Sequence, residues 1–183
     1  EAAYLPVPTP LHQLGMGAVT PQLASQQLRV YLLPGLSQTR ANATHFDVMR
    51  GEETQIAGHL ALNPDFDGVI CLPGTHTKWA HISAREVVSF RTFMTGEMFA
   101  LLSNASVLRH TVGTEGWDEH AFDVAVEDAM ARPAAIAAEL FSLRAQSLLH
   151  DLPSQTARAR LSGLLIGMEL AAARPYWLGQ HVA

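Results

Sequence analysis

Three observations predict an α/β fold. Residues 68–72 (GVICL) form an unbroken apolar run of strand length, the signature of a strand covered on both faces. Residues 86–95 add a second strand with a mostly apolar pattern. From residue 97 onward apolar and alanine-rich stretches recur at helical spacing as far as residue 173. The resulting order is strand, helix, three-strand block, then helices. That order belongs to α/β or α+β architecture, with the strand block opening a new layer and a domain boundary near residues 63–67.

The elements follow one by one. Residues 4–10 (YLPVPTP) carry proline at every second position, which fixes φ and keeps each preceding residue out of the helical region, so this stretch is extended. Residues 28–33 (LRVYLL) read as a short strand stopped by Pro34 and Gly35. Residues 36–48 read as a polar loop. A helix spans 51–62: Glu52 and Glu53 favour the positive end of its dipole, Ile56, Ala57 and Leu60 share a face, and Asn63-Pro64 stops it. Strands are expected at 68–72, 78–82 and 86–95, the last two joined by a turn at Ser83-Ala84-Arg85. Helices are expected at 97–104, 118–131, 134–150 and 155–173, with Pro133 as a breaker and Asp118 and Ser154 as N-caps. The last residues, 180–183, open a further strand-like segment.

Composition narrows the function classes. Apolar residues make up 48 % of the 183-residue chain, enough for a packed core. The formal net charge is −5 and the basic residues are scattered, so nucleic acid is not an expected partner. No apolar run reaches the roughly 18 residues of a spanning helix, and no secretory signal opens the sequence. The longest candidate, residues 161–173, contains Gly163, Gly167 and Glu169 and reads as a closely packed buried helix. Cys71 is the single cysteine; it suits a reducing cytoplasmic setting and reads as a packing residue in a buried strand. Four of the nine histidines, His45, His59, His76 and His81, lie near one another in sequence, yet none shows a metal-ligand spacing. Neither the nucleophile elbow G-x-S-x-G nor G-x-G-x-x-G occurs.

Three stretches can carry chemistry. In Arg50-Gly51-Glu52-Glu53, two acids and an arginine open a helix. A carboxylate there can accept a proton from a substrate hydroxyl, or merely complement the helix dipole. In Pro73-Gly74-Thr75-His76-Thr77-Lys78, a buried strand turns into a second strand. Glycine permits close backbone approach, and backbone N–H groups, threonine hydroxyls and a lysine suit a phosphate; an ordinary hairpin tip would look the same. It is not a Walker A loop, whose spacing and following helix are absent. In Thr95-Gly96-Glu97, a strand meets a helix N-terminus that either caps itself or offers N–H groups to a ligand.

Taken together, MRGEETQ (49–55), PGTHTKW (73–79), FRTFMTGE (90–97) and LSGLLIGME (161–169), with YLPVP (4–8) and LLPGL (32–36), resemble the 2-keto-3-deoxygalactonate kinase (2-dehydro-3-deoxygalactonokinase) family of actin/hexokinase-like sugar kinases. The resemblance implies an actin-like, ribonuclease H-like ATPase fold of two lobes, and transfer of the γ-phosphoryl of ATP, with Mg²⁺, to the 6-hydroxyl of 2-keto-3-deoxygalactonate. In the broader sugar-kinase pattern a glycine–acid pair opens a helix of the first lobe, and a hairpin with a Gly-Thr tip about twenty residues on holds ATP phosphates. Gly51-Glu52 and Gly74-Thr75 stand in those two places. By that similarity Glu52 is the general base and Glu53 its alternative, although the broader pattern has aspartate. Gly74, Thr75, His76, Thr77 and Lys78 hold the nucleotide, and Arg50, Thr95 and Glu97 face the sugar acid, Arg50 through its bidentate fit to a carboxylate.

The family's glycine-rich first phosphate hairpin, with its Mg²⁺-organising aspartate, and its glycine-rich adenosine segment do not occur in these residues. The chain is therefore expected to be a central fragment, with 1–65 ending the sugar-binding lobe and 66–183 starting the nucleotide-binding lobe. Alone it is expected to lack useful kinase activity. No metal ligand is expected in it, an oligomer is compatible with it, and a non-catalytic sugar or nucleotide sensor on the same fold is the alternative.

Overall fold

The computed structural model describes residues 2–23, 27–39 and 45–183. The chain divides into two compact units, one of residues 1–72, 78–92 and 176–183, the other of residues 73–77 and 93–175. The division differs from a boundary near 63–67, because strand pairing ties the middle of the chain to both of its ends, as follows.

The first unit contains two sheets. In one, β1 (Tyr4–Pro6), β3 (Gly35–Thr39) and β4 (Phe46–Met49) pair in the order β1-β3-β4, parallel and then antiparallel. In the other, β2 (Thr9–Pro10), β7 (Glu86–Phe93), β6 (Thr77–Ser83) and β5 (Gly68–Leu72) run in the order β2-β7-β6-β5. Thr9 lies opposite Val87, and Cys71 opposite Trp79. On the other side of β5, residues 181–183 run parallel to it: Val69 N–H donates to His181 O at 2.8 Å and Ala183 N–H to Val69 O at 2.9 Å. β5 is therefore hydrogen-bonded on both sides, by β6 and by the chain's last residues. The turn between β6 and β7 places Ala84 and Arg85 both at positive φ (49° and 63°), which matches the right-handed twist of a two-residue hairpin loop.

β2 is only two residues long, so it leaves most of that side of β7 without a strand. Side chains of the other sheet fill the gap. Gln38 Nε2 donates to Phe90 O at 3.1 Å while Phe90 N–H donates to Gln38 Oε1 at 2.8 Å, and Thr92 N–H donates to Asp47 Oδ2 at 2.8 Å. Beneath lies a core of Leu36, Met49, Ile56, Leu60, Ile82, Val87 and Phe90. Ile56 and Leu60 come from α1 (Glu52–Leu62), as their spacing predicts.

One expected strand is displaced. Residues 28–33 form no strand; Leu28 and Tyr31 are exposed, and only an isolated bridge joins Leu32 to Val19. The strand begins at Gly35, read as part of the stop, and runs into the stretch read as loop, with β4 in the second half of that stretch. Gly35 sits so close to its neighbours that a Cβ there would lie 2.4 Å from Met49 O. Pairing with β1 and β4 on both sides thus outweighs the stronger local propensity of LRVYLL.

The second unit is helical. It comprises α2 (Thr95–Ala105), α3 (Glu119–Ala131), α4 (Ile136–His150) and α5 (Ser154–Ala172); a short α6 (Arg174–Trp177) follows. Asp118 caps α3 as expected, accepting from Ala121 N–H at 3.1 Å, and its other oxygen accepts from the Thr156 hydroxyl of α5 at 2.8 Å. Ser154 is not a cap: it is the first residue of α5, and Pro153 before it supplies no side-chain bond. Pro133 opens a 3₁₀ turn that separates α3 from α4. α5 packs on α3 through its glycines. A Cβ on Gly163 would lie 2.5 Å from Phe122 O, and one on Gly167 2.5 Å from Val126 O. The small residues of LSGLLIGME therefore serve close helix packing, and Leu143, Leu161, Leu164 and Leu165 complete the core. None of the described helices is long and apolar enough to cross a membrane.

Candidate functional site

In the first unit, chemistry gathers at the junction of β4 and α1. Gly51 has φ 111°, a backbone geometry that a side chain would strain, and it turns the chain sharply into the helix. The two carboxylates that follow fold back over that turn. Glu52 Oε2 accepts Arg50 N–H at 3.0 Å and Glu53 Oε2 accepts Gly51 N–H at 2.7 Å. Both satisfy donors at a helix start, as the structural alternative for this acidic pair requires.

Their surroundings separate them. Glu53 is 2 % exposed, and its other oxygen accepts from the Thr54 hydroxyl. Glu52 is half-buried, and its Oε1 has no hydrogen-bond partner among the described residues. Glu53 is thus a buried cap, whereas Glu52 keeps an oxygen able to take a proton. Arg50 is held by the chain's first strand: Nη2 donates to Ala2 O at 3.0 Å, Nε to the Tyr4 hydroxyl at 3.3 Å, and the guanidinium stacks 4.3 Å above the Tyr4 ring. It remains exposed at the surface.

Lys78 is placed differently from expectation. The side chain is 5 % exposed, and its ammonium donates to Val48 O at 2.9 Å and Thr92 Oγ1 at 2.8 Å. A lysine committed to a carbonyl and a hydroxyl inside the fold is not a free phosphate ligand at the hairpin tip. Thr92 in turn donates to Asp47 Oδ1 at 2.6 Å. Sequence reasoning passed over Asp47, inside a presumed loop, and gave Thr92 no role, although it lies within FRTFMTGE. Tyr4 was likewise read as extended chain only.

In the second unit the hairpin tip and the start of α2 form one structure. Gly96 lies against the tip so closely that a Cβ would sit 2.4 Å from Gly74 O and 3.0 Å from Thr75 Cα. Glu97 N–H donates to Thr75 O at 2.9 Å, and His76 Nε2 pairs with Glu97 Oε2 at 2.5 Å. Thr77 is buried, and nothing crowds the Cβ direction of Gly74, which opens to solvent. Thr95 donates its hydroxyl to Glu169 of α5, itself only 6 % exposed. The helix N-terminus and the glycine tip together offer a phosphate backbone N–H groups and a favourable dipole end. Gly74, Thr75, His76, Thr77, Thr95 and Glu97 are thus drawn together by local contacts, and Glu169 joins them from a distant helix. Among the described residues no group of three or more His, Cys, Asp or Glu side chains could hold a metal ion.

The family model for 2-keto-3-deoxy-galactonokinase matches residues 1–183. A protein of Rhizobium meliloti (strain 1021) named as a probable 2-dehydro-3-deoxygalactonokinase is 40 % identical over 176 residues, covering 94 % of this chain and 56 % of that protein. The 2-dehydro-3-deoxygalactonokinase of Escherichia coli (strain K12) is 37 % identical over 180 residues, covering 98 % of this chain and 58 % of its own length. A crystal structure from Sinorhizobium meliloti, described as a candidate 2-dehydro-3-deoxygalactonokinase, superposes with a TM-score of 0.87 at 39 % identity, covering 94 % of this chain and 57 % of that one. The chain therefore spans just over half the length of the relatives it matches. Its match to the family model extends from end to end, and the chain belongs to the 2-keto-3-deoxy-galactonokinase family.

Proposed function

We propose that this chain supplies the acceptor-activating carboxylate and a nucleotide-phosphate cradle of an ATP-dependent kinase that phosphorylates the 6-hydroxyl of 2-keto-3-deoxygalactonate. The observation that carries the reading is the asymmetry of the acidic pair: Glu53 is buried with both oxygens bonded, while Glu52 keeps one oxygen unbonded beside a partly open surface. Glu52 takes the proton of the sugar hydroxyl as its oxygen forms a bond to the γ-phosphorus. The bond from that phosphorus to the β–γ bridging oxygen breaks, and ADP leaves. The tip Gly74-Thr75-His76-Thr77 and the N–H groups of Thr95 and Gly96 at the start of α2 receive phosphate oxygens, where charge-assisted hydrogen bonds are strong. Magnesium bound with ATP would supply neutralisation of phosphate charge. By the family resemblance Arg50, held by Tyr4 and Ala2, is the residue assigned to the sugar-acid carboxylate, which a guanidinium fits in a bidentate manner, and Thr95 and Glu97 are further residues assigned to the sugar acid. The family resemblance assigns residues 1–65 to the sugar-binding lobe and 66–183 to the nucleotide-binding lobe, a division by function that the two compact units do not follow.

The test is ADP release by the full-length protein with MgATP, with and without 2-keto-3-deoxygalactonate. Release that depends on the sugar acid, with a 6-phosphorylated product, is the expected result. Nucleotide or sugar binding without turnover would replace the kinase by a sensor on the same fold.

A further inference from the structure

We infer that Lys78, Thr92 and Asp47 form a positioning network that fixes the Arg50–Glu52 turn for proton transfer; this rests on the kinase reading above. The direction of each hydrogen bond is dictated by chemistry. An ammonium only donates and a carboxylate only accepts. The Thr92 hydroxyl must therefore accept from Lys78 Nζ at 2.8 Å and donate to Asp47 Oδ1 at 2.6 Å. Asp47 also accepts the Thr92 N–H at 2.8 Å and the Val48 N–H at 2.9 Å, while Lys78 donates to Val48 O at 2.9 Å. Both backbone polar groups of Val48 are thus engaged by a single chain of three side chains drawn from β4, β6 and β7.

Val48 is two residues from Arg50. The intervening Met49 is packed in the core at 1 % exposure, so it transmits the position of β4 directly to the turn. Beyond it Gly51 holds its positive φ, and Glu52 closes back on Arg50 N–H. A lysine at 5 % exposure is retained in an interior only where its charge is compensated. Here a hydroxyl bridges it to a carboxylate, and the compensated pair sits at the entry to the proposed base. Small displacements of a reacting group weaken catalysis far more than they weaken binding.

The experiment uses the full-length protein and the pair Thr92→Val, which removes the bridging hydroxyl at nearly constant size, and Thr92→Ser, which keeps the hydroxyl and loses only the methyl. Thr92→Val is expected to lower kcat about tenfold or more with KM for ATP unchanged, and Thr92→Ser to recover most of it. Amide hydrogen exchange is expected to quicken at Arg50 and Gly51 in Thr92→Val while Leu161 and Leu164 of α5 stay protected. Parent kcat in Thr92→Val, or no recovery in Thr92→Ser, would overturn the catalytic role. Unchanged exchange at Arg50 and Gly51 would overturn the network itself. A parent protein with no sugar-dependent turnover would remove the kinase reading, and with it the catalytic role, while the exchange data still report separately on the network.

Discussion

At the scale of single residues, burial and hydrogen bonding decide between side chains that a sequence leaves equivalent. Glu52 and Glu53 are adjacent, alike in charge and equally suited to a first helical turn. Only the fold reveals that one is enclosed and the other open. Lys78 is the converse case. Next to Gly-Thr-His-Thr it reads as part of a phosphate cradle, and only the position of β4, from a stretch that reads as loop, shows where its ammonium goes. Asp118, by contrast, was fully legible, because an N-cap depends on a few neighbouring residues. Its carboxyl is held below the usual aspartate value of 3.8 by the Ala121 N–H, then by the Thr156 hydroxyl and, more weakly, His120. A depressed folded-state pKa contributes stability above the unfolded-state value, and that contribution disappears as pH falls through the folded value. Asp118→Asn keeps a capping oxygen but loses this titration. Its thermal-melting temperature is therefore expected to fall less steeply than the parent's as pH drops below 3.8; parallel melting curves for the two would refute it.

At the scale of elements, close approaches set by glycine recur in the family strings, and two of them separate binding from stability. Gly96 lets the start of α2 rest on the hairpin tip. Alanine would favour the helix intrinsically by up to about 1 kcal/mol, but its Cβ would press on the backbone of Gly74 at 2.4 Å, so the tip must move. Gly96→Ala in the full-length protein is expected to raise KM for ATP about tenfold and to lower the melting temperature through the same overpacking; steady-state kinetics at varied ATP and a thermal melt check this. Gly163 has the same role between α5 and α3, remote from the tip residues in sequence. Gly163→Ala is expected to destabilise the fold by roughly 1–3 kcal/mol through overpacking, measurable by denaturant titration, while KM for ATP stays near the parent value. Helices and the strands of the β5–β7 block were readable because periodicity and turn chemistry are local. β3 was not, because its place is fixed by partners that lie far along the chain, and a glycine admits one of them.

At the scale of the whole molecule, the helical unit and the two-sheet unit each have their own core, and each holds part of the chemistry that the family resemblance brings together. The four family strings were visible in the sequence because each combines glycine, charge and hydroxyl residues at fixed spacing. What they do was visible only in part, since the chain spans 56 % and 58 % of its two curated relatives. The central claim is that Glu52, not Glu53, activates the sugar hydroxyl. It is tested most directly by sugar-dependent ADP release from full-length Glu52→Gln and Glu53→Gln beside the parent. The account predicts that Glu52→Gln loses roughly 10²- to 10⁴-fold in kcat with KM for ATP and melting temperature near the parent values, and that Glu53→Gln chiefly lowers the melting temperature. Parent-level kcat in Glu52→Gln would contradict it.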